Sequence, residues 1–73
     1  MDRFEVPVMT DKPERMARIL RSVGGLEVIG GDERAYADRA IVVIAAPNAE
    51  TAHARVREVV PAGYEVGPAE PLK

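Results

Sequence analysis

RAIVVIAAPN, residues 39–48, is the most strongly patterned stretch of this chain. Its apolar part, Ala40 to Ala46, is rich in β-branched side chains, which indicates a buried strand. Pro47 ends that strand because proline cannot donate to a sheet. Asn48 is a preferred N-cap residue, so a helix is expected to begin directly after it. The stretch therefore predicts a strand that leads at once into a helix.

The segment after Asn48 continues this pattern. Apolar side chains recur there at helical spacing: Ala49, Ala52, Val56, Val59 and Val60. Pro61-Ala62-Gly63 should end the helix, and Tyr64 and Val66 then alternate as in a short last strand. Gly67-Pro68 is expected to close that strand. The second half of the chain is thus predicted as strand, helix and strand.

The first half has the same order of elements. Phe4, Val6 and Val8 alternate with polar residues, as in a strand with one buried face. Thr10 to Glu14 contains a short polar side chain, a first-turn proline and an acid, which together mark a helix start. An apolar stripe follows at helical spacing: Met16, Ile19, Leu20 and Val23. Gly24-Gly25 should end this helix, and residues 26–29 form a second strand.

Two β-α-β halves joined in this way predict a single α+β domain over residues 1–73 with a ferredoxin-like βαββαβ fold. Right-handed crossovers would place both helices on one face of a four-stranded antiparallel sheet. Pro7 conflicts with this model, because the first strand is central and should donate hydrogen bonds on both sides. A bulge or an early end of the strand is therefore expected at Pro7.

The sheet face away from the helices is expected to be apolar. We assign Val42 and Ile44 to that face, together with Ile29 and Met9, and Ile41 and Val43 to the helix side. Such a face should be covered by a second copy, which predicts a homodimer. The small size of the chain favours the same conclusion, because a chain this short leaves much of its apolar surface exposed if it stays alone.

Composition excludes several classes of function. The 73 residues carry a net charge of -2, which argues against nucleic-acid binding, and they include no cysteine and one histidine, so no metal site is expected. The longest apolar stretch is too short to cross a membrane, and no signal-peptide pattern precedes the first strand. We therefore expect a cytoplasmic protein without a cofactor.

Several stretches resemble the dimeric α/β-barrel superfamily, which includes muconolactone isomerase and cofactor-independent monooxygenases. They are Pro13-Glu14-Arg15-Met16, residues 26–30, residues 39–50 and Tyr64-Glu65-Val66-Gly67-Pro68. The resemblance implies a fold and a dimer, but none of the active-site patterns of the enzymes is present. Asp11 to Met16 also looks like the opening of the ACT regulatory domains, which bind amino acids at subunit interfaces. Those domains usually have glycine where this chain has Glu14.

Three residues are candidates for acid–base chemistry. His53 lies at the border of the second helix stripe, where a partly buried structural role is the simpler interpretation. Glu5 and Glu65 should share the open sheet face, since the first and last strands are neighbours. A solvated rim is the alternative role of these carboxylates. Catalysis is thus weakly indicated.

The open sheet face is the predicted binding site, because an apolar floor with a few charges is typical of ligand sites. The expected ligand-binding residues are Glu5, Met9, Ile29, Tyr36, Val42, Ile44 and Glu65. The favoured function is a homodimeric domain that binds a small organic ligand or a protein partner there. The alternatives are a cofactor-independent enzyme acting on a small organic acid or aromatic compound, and an ACT-like amino-acid sensor.

Overall fold

A computed structural model of the chain describes residues 2–22, 27–29 and 38–72, and of residues 27–29 it describes the backbone alone. The elements follow one another in the predicted order. They are β1 (Asp2–Met9), α1 (Pro13–Arg21), β2 (Glu27–Ile29), β3 (Arg39–Ala46), α2 (Ala49–Val59) and β4 (Glu70–Pro71). The chain is therefore an α+β protein with two helices and an antiparallel sheet.

Three strands form the main body of the sheet. The order is β2-β3-β1-β4, and every adjacent pair is antiparallel. β1 and β3 pair along their full length, with Val6 opposite Val42, while the described part of β2 adds three residues beside β3. β4 contributes two residues at the other edge. The two long, paired strands are thus the centre of the molecule.

Both helices pack against the same face of this sheet. One cluster of buried side chains joins them to the two central strands: Phe4, Val6, Val8, Met16, Ala17, Leu20, Ala40, Val42, Ala46, Ala52 and Val56. The alternation predicted for β1 and the stripe predicted for α2 are confirmed by this cluster. On α1, Met16 and Leu20 are buried as expected, but Ile19 is 37% exposed and Ala17 takes its place in the core.

The predicted faces of β3 are wrong. Val42 is fully buried in the helix-side core and Ile44 packs against it, whereas Ile41 and Val43 lie on the opposite face. The cause is the register with β1, which sets Val42 opposite the inward-facing Val6. Because side chains alternate along a strand, an error of one residue exchanges its two faces. Val42 and Ile44 therefore do not belong to the open face.

Pro7 lies within β1 without ending it. The backbone N–H of Gly67 donates to the Pro7 carbonyl over 2.8 Å, and the N–H of Met9 donates to the Glu65 carbonyl over 2.8 Å. The odd-numbered residues of β1 therefore direct their backbone groups towards the last segment, and the missing N–H of Pro7 falls on that side. The ladder to β3 keeps all its donors as a result.

The last strand is interrupted at this point. Val66 forms an isolated bridge with Val8, and pairing resumes farther along with Glu70 opposite Glu5. Between the two, the register shifts by one residue, as at a β-bulge. The expectation that pairing ends at Gly67-Pro68 is wrong, because the chain rejoins β1 after Pro68. The bulge expected near Pro7 thus occurs on the partner segment.

The start of each helix agrees with its sequence signal. Asn48 accepts a hydrogen bond from the Thr51 N–H over 2.8 Å and caps α2, as predicted. Pro13 occupies the first turn of α1, and Thr10 accepts a hydrogen bond from the Lys12 N–H over 3.1 Å. The glycines expected to end α1 lie outside the described residues. No helix in the described ranges has the length and apolar character needed to cross a membrane.

Candidate functional site

The candidate site is a depression of about 260 Å³ on the sheet face opposite the helices, which we call the open face. Two strands and the last segment of the chain line it. Its lining residues are Glu5, Pro7, Met9, Arg39, Ile41, Pro68 and Glu70. Proline, methionine and isoleucine form an apolar middle, with charged side chains of both signs around it. This composition is typical of a binding site for a small molecule.

The acidic end of the depression is formed by Glu5 and Glu70. The two residues lie directly opposite each other in the pairing of β1 with β4. Like charges in this position repel, because the Cβ atoms of directly opposed residues are about 5 Å apart. Among the described residues, neither carboxylate makes a hydrogen bond or an ion pair. This end of the site can therefore accept a positive charge.

The basic end is formed by Arg39, which is paired with Met9 in the register of β1 and β3. Its Nε donates to Oδ1 of Asp38 over 3.0 Å and a terminal nitrogen donates to Oδ2 over 3.1 Å. These hydrogen bonds hold the pKa of Asp38 below its ordinary value of 3.8. The bidentate contact fixes the plane of the guanidinium at the mouth of the depression.

The apolar centre of the open face is shielded within one chain. Ile41 is 8% exposed and Val43 is 4% exposed, although both lie on the face away from the helices. Pro7 and Met9 are half-buried beside them. The centre of the open face is thus less exposed to water than the sequence predicted.

His53 lies on the helix side of the molecule, away from the depression. It is half-buried on α2, and its Nε2 is 3.2 Å from the carbonyl oxygen of Val66. With a proton on Nε2, the imidazole donates to that carbonyl and ties α2 to the last segment. Glu5 points to the other face of the sheet, so these two catalytic candidates are not brought together.

Glu65 also lies apart from Glu5. Its carbonyl accepts the hydrogen bond from the N–H of Met9, which lies four residues after Glu5 on β1, and its side chain is exposed. A separation of four residues corresponds to about 13 Å along a strand. The predicted pair of Glu5 and Glu65 is therefore wrong, because the register shift brings Glu70 to the position opposite Glu5.

The remaining predicted ligand-binding residues have different outcomes. Glu5 and Met9 line the depression. Ile29 is paired with Ile41 through its backbone, and its side chain lies outside the described part of the chain, as does the whole of Tyr36. Val42 belongs to the helix-side core, as does Ile44 at its edge.

Sequence reasoning missed Arg39, Ile41 and Glu70 as lining residues. A signal for the first two was present, since the polar Arg39 begins β3 and side chains two apart share a face. Extending that alternation from Arg39 would have placed Ile41 on the open face. Glu70 had no such signal, because it follows a proline that normally ends a strand.

A larger depression of about 550 Å³ lies beside the start of α1. The described residues that line it are Asp11, Lys12, Pro13, Glu14, Arg15 and Arg18. They come from one continuous stretch, and Pro13 is the one apolar residue among them. This depression is more open to solvent than the one on the open face, and its described lining comes from the start of α1 and the turn before it rather than from several elements, so we rank it below the open face.

Metal binding has no support in the described residues, which contain no group of three or more histidine, aspartate or glutamate side chains arranged to hold an ion. Comparison with protein-family models, with curated proteins and with solved structures finds no match. The functional argument therefore depends on the geometry of the open face.

Proposed function

We propose that this chain is a small-molecule-binding domain that uses the open face of its sheet and pairs with a second copy through the same face. The observation that carries the proposal is the depression in which Pro7 and Ile41 form an apolar floor between charged ends. Its volume of about 260 Å³ suits a small organic molecule rather than a nucleotide or a large cofactor.

The architecture that we propose is ferredoxin-like. The strand order β2-β3-β1-β4 and the placement of both helices on one sheet face support it. Among the described residues, no helix covers the opposite sheet face, and a face of that kind is a natural place for a ligand or a second subunit. The short β4 completes the sheet at the edge where the depression has its acidic end.

Pairing is supported by the size of the chain and by the make-up of the open face. A chain of 73 residues buries a smaller fraction of its surface on folding than a larger domain does, so association would add stability to a small core. The half-buried apolar residues Pro7 and Met9 lie near the centre of the face and charged residues at its rim, which is the usual anatomy of a protein interface.

Ligand binding can be tested with NMR. Backbone amide shifts of the 73-residue chain would be followed during titration with small aromatic acids, amino acids and aliphatic amines. We expect at least one compound to shift the amides of Glu5, Met9 and Ile41 with a saturable dependence on concentration. Shifts confined to α1, or none from any compound, would contradict the proposed site.

A matched pair of variants separates the open face from the helix face. Met9→Glu introduces a charge at a half-buried residue of the depression, and Ile19→Glu introduces the same charge at an exposed position of α1. We expect Met9→Glu to abolish the ligand-induced shifts and Ile19→Glu to leave them unchanged. Equal loss in both variants would contradict the assignment.

A further inference from the structure

We infer that one flank of α1, together with Tyr64, is a docking surface for an acidic peptide segment of a partner protein. The surface shares no described lining residue with the depression on the open face. It consists of a small pocket between α1 and Tyr64 and of the larger depression beside the start of α1. We call the two together the α1 surface.

The small pocket has a volume of about 170 Å³ and is built from three parts of the chain. They are the turn after β1, one flank of α1 and the segment that follows α2. Its described lining residues are Thr10, Asp11, Lys12, Arg15, Met16, Ile19 and Tyr64. The pocket is smaller than the depression on the open face, and its size suits a single side chain of a partner protein.

Four side chains around this pocket can donate hydrogen bonds to a carboxylate. Lys12 and Arg15 carry positive charges. Thr10 and Tyr64 carry hydroxyl groups. Among the described residues, the side chains of Lys12, Arg15 and Tyr64 make no hydrogen bond or ion pair. The Thr10 hydroxyl oxygen accepts the Lys12 N–H over 3.1 Å, which leaves the hydroxyl hydrogen free to donate. Asp11 is the one acid in the described lining, so the pocket favours an anion.

Apolar surface lies directly beside these donors. Among the described residues, Ile19 and Tyr64 are the large hydrophobic side chains that are exposed, at 37% and 44%, and both line the pocket. Glu65 follows Tyr64 but lies on the other side of the segment, because Val66 packs against the helix-side core and side chains alternate in an extended chain. The pocket and its margin therefore match an acidic side chain that has an apolar neighbour.

The pocket continues into a groove that an extended peptide can follow. The larger depression of about 550 Å³ shares three residues with the pocket: Asp11, Lys12 and Arg15. It then extends along α1 to Arg18, which lies three residues after Arg15 and is therefore its neighbour on the helix surface. Three cations and two acids form the described lining of this groove, so the groove is positive although the chain has a net charge of -2.

The shape of the α1 surface favours a peptide over a small molecule. Small-molecule sites enclose most of their ligand, whereas this groove is open to solvent along its length. Arginine and tyrosine are also the side chains that most often contribute large binding energies at protein interfaces. An acidic segment can place one carboxylate in the pocket between Arg15 and Tyr64 and direct the next towards Arg18.

Fluorescence anisotropy with a labelled peptide tests the inference. The probe is a short chain of glutamates with one central leucine, and the comparison peptide has glutamine in place of every glutamate. We expect the acidic probe to bind the 73-residue chain saturably, and at least ten-fold more tightly than the glutamine peptide. Added salt should weaken the binding of the acidic probe, because exposed charges are screened.

Substitutions at exposed residues assign the binding to the α1 surface. Arg15→Gln and Tyr64→Ala should each weaken binding of the acidic probe at least five-fold, and Arg15→Lys should retain most of it. Arg57→Gln is the matched control, because it removes the same charge from an exposed residue of α2, and we expect it to bind like the wild type. Circular dichroism melts would verify that every variant is folded.

Four results would overturn the inference. The first is an acidic probe that does not bind the wild type, and the second is equal weakening by Arg15→Gln and Arg57→Gln, which would reduce the effect to net charge. The third is binding of free glutarate as tight as that of the probe, which would make the pocket a small-molecule site. The fourth is tighter binding of poly-uridine through Arg15, which would assign the surface to nucleic acid.

Discussion

The ring of Pro7 occupies the space into which a side chain at position 67 would project. A Cβ built on Gly67 lies 2.7 Å from Cγ of Pro7 and 3.5 Å from Cε of Met9. The first distance is well inside van der Waals contact, so glycine is required there as long as residue 7 is proline. The two residues also share a hydrogen bond, from the Gly67 N–H to the Pro7 carbonyl.

Gly67→Ala is therefore expected to destabilise the fold by roughly 1–3 kcal/mol, as forced overpacking does elsewhere. Pro7→Ala should remove much of this penalty, because alanine leaves room for the new methyl group and supplies an N–H facing Gly67. Denaturant unfolding of both single variants and the double variant gives the coupling energy. Additive effects in the double variant would show that the close approach has no energetic consequence.

The N-cap of α2 makes a measurable contribution to stability. Oδ1 of Asn48 accepts the Thr51 N–H, one of the donors that the first turn of a helix leaves without an intrahelical partner. Asn48→Ala should cost about 1 kcal/mol in unfolding free energy. Asn48→Asp is the matched control, since aspartate retains the acceptor and should be nearly neutral. Equal losses in urea unfolding would assign the effect to something other than capping.

The sequence predicts which side chains of β1 face the helices, but it does not predict this for β3. In β1, polar residues separate Phe4, Val6 and Val8, so the buried face is evident from alternation. In β3, the run from Ala40 to Ala46 is apolar on both faces, and periodicity within it cannot distinguish them. The register with β1 resolves the ambiguity, but that pairing is a tertiary contact.

The acidic end of the site could not be predicted from the sequence for a different reason. Glu70 reaches the position opposite Glu5 because the chain bulges after Gly67 and resumes pairing one residue out of step. Gly67-Pro68 normally signals the end of a strand. Pairing does stop after the bridge at Val66, as this signal predicts, but it starts again at Glu70. Local turn chemistry does not specify whether a chain returns to pair with the same strand.

His53 connects α2 to the interrupted edge. The hydrogen bond between its Nε2 and the Val66 carbonyl restrains the segment that donates from Gly67 to Pro7. His53→Ala should cost about 1 kcal/mol. It should also accelerate amide hydrogen exchange at Gly67 and Met9, while amides of β1 that bond to β3 keep their protection. Ala54→Gly on the exposed side of α2 is a control that weakens the helix without breaking this contact. Unchanged exchange at Gly67 in His53→Ala would exclude the restraining role.

The Asp38–Arg39 contact should be visible in a titration. The side-chain hydrogen bonds from Arg39 lower the pKa of Asp38 below its ordinary value of 3.8. A depressed carboxyl pKa in the folded state stabilises the fold above the ordinary value, and the contribution disappears as pH falls through the lowered pKa. NMR titration of the Asp38 carboxyl should show this, and Arg39→Gln should move the pKa back up. An identical midpoint in wild type and Arg39→Gln would contradict the contact.

The assignment of faces on the sheet leads to the sharpest contrast between two substitutions. Val42 is fully buried among helix residues, whereas Met9 is half-buried in the depression on the other face. Val42→Glu places a carboxylate without a partner in the core, which costs several kcal/mol and is expected to abolish folding of a domain this small. Met9→Glu should leave a cooperative thermal transition, because its carboxylate can reach water at the rim.

Ile44 belongs with Val42 in this contrast, although its position is at the edge of the core. Ile44→Glu should lower the midpoint of thermal unfolding because it removes packing at the edge of the core. The molecules of this variant that are folded should dimerise like the wild type. Circular dichroism melts and sedimentation measurements on Val42→Glu, Ile44→Glu and Met9→Glu test which face of the sheet each residue belongs to. If Val42→Glu or Ile44→Glu gave a stable monomer while Met9→Glu unfolded, the helix-side and open faces would have to be exchanged. The depression would then lose its place as the binding site, because its walls would belong to the core.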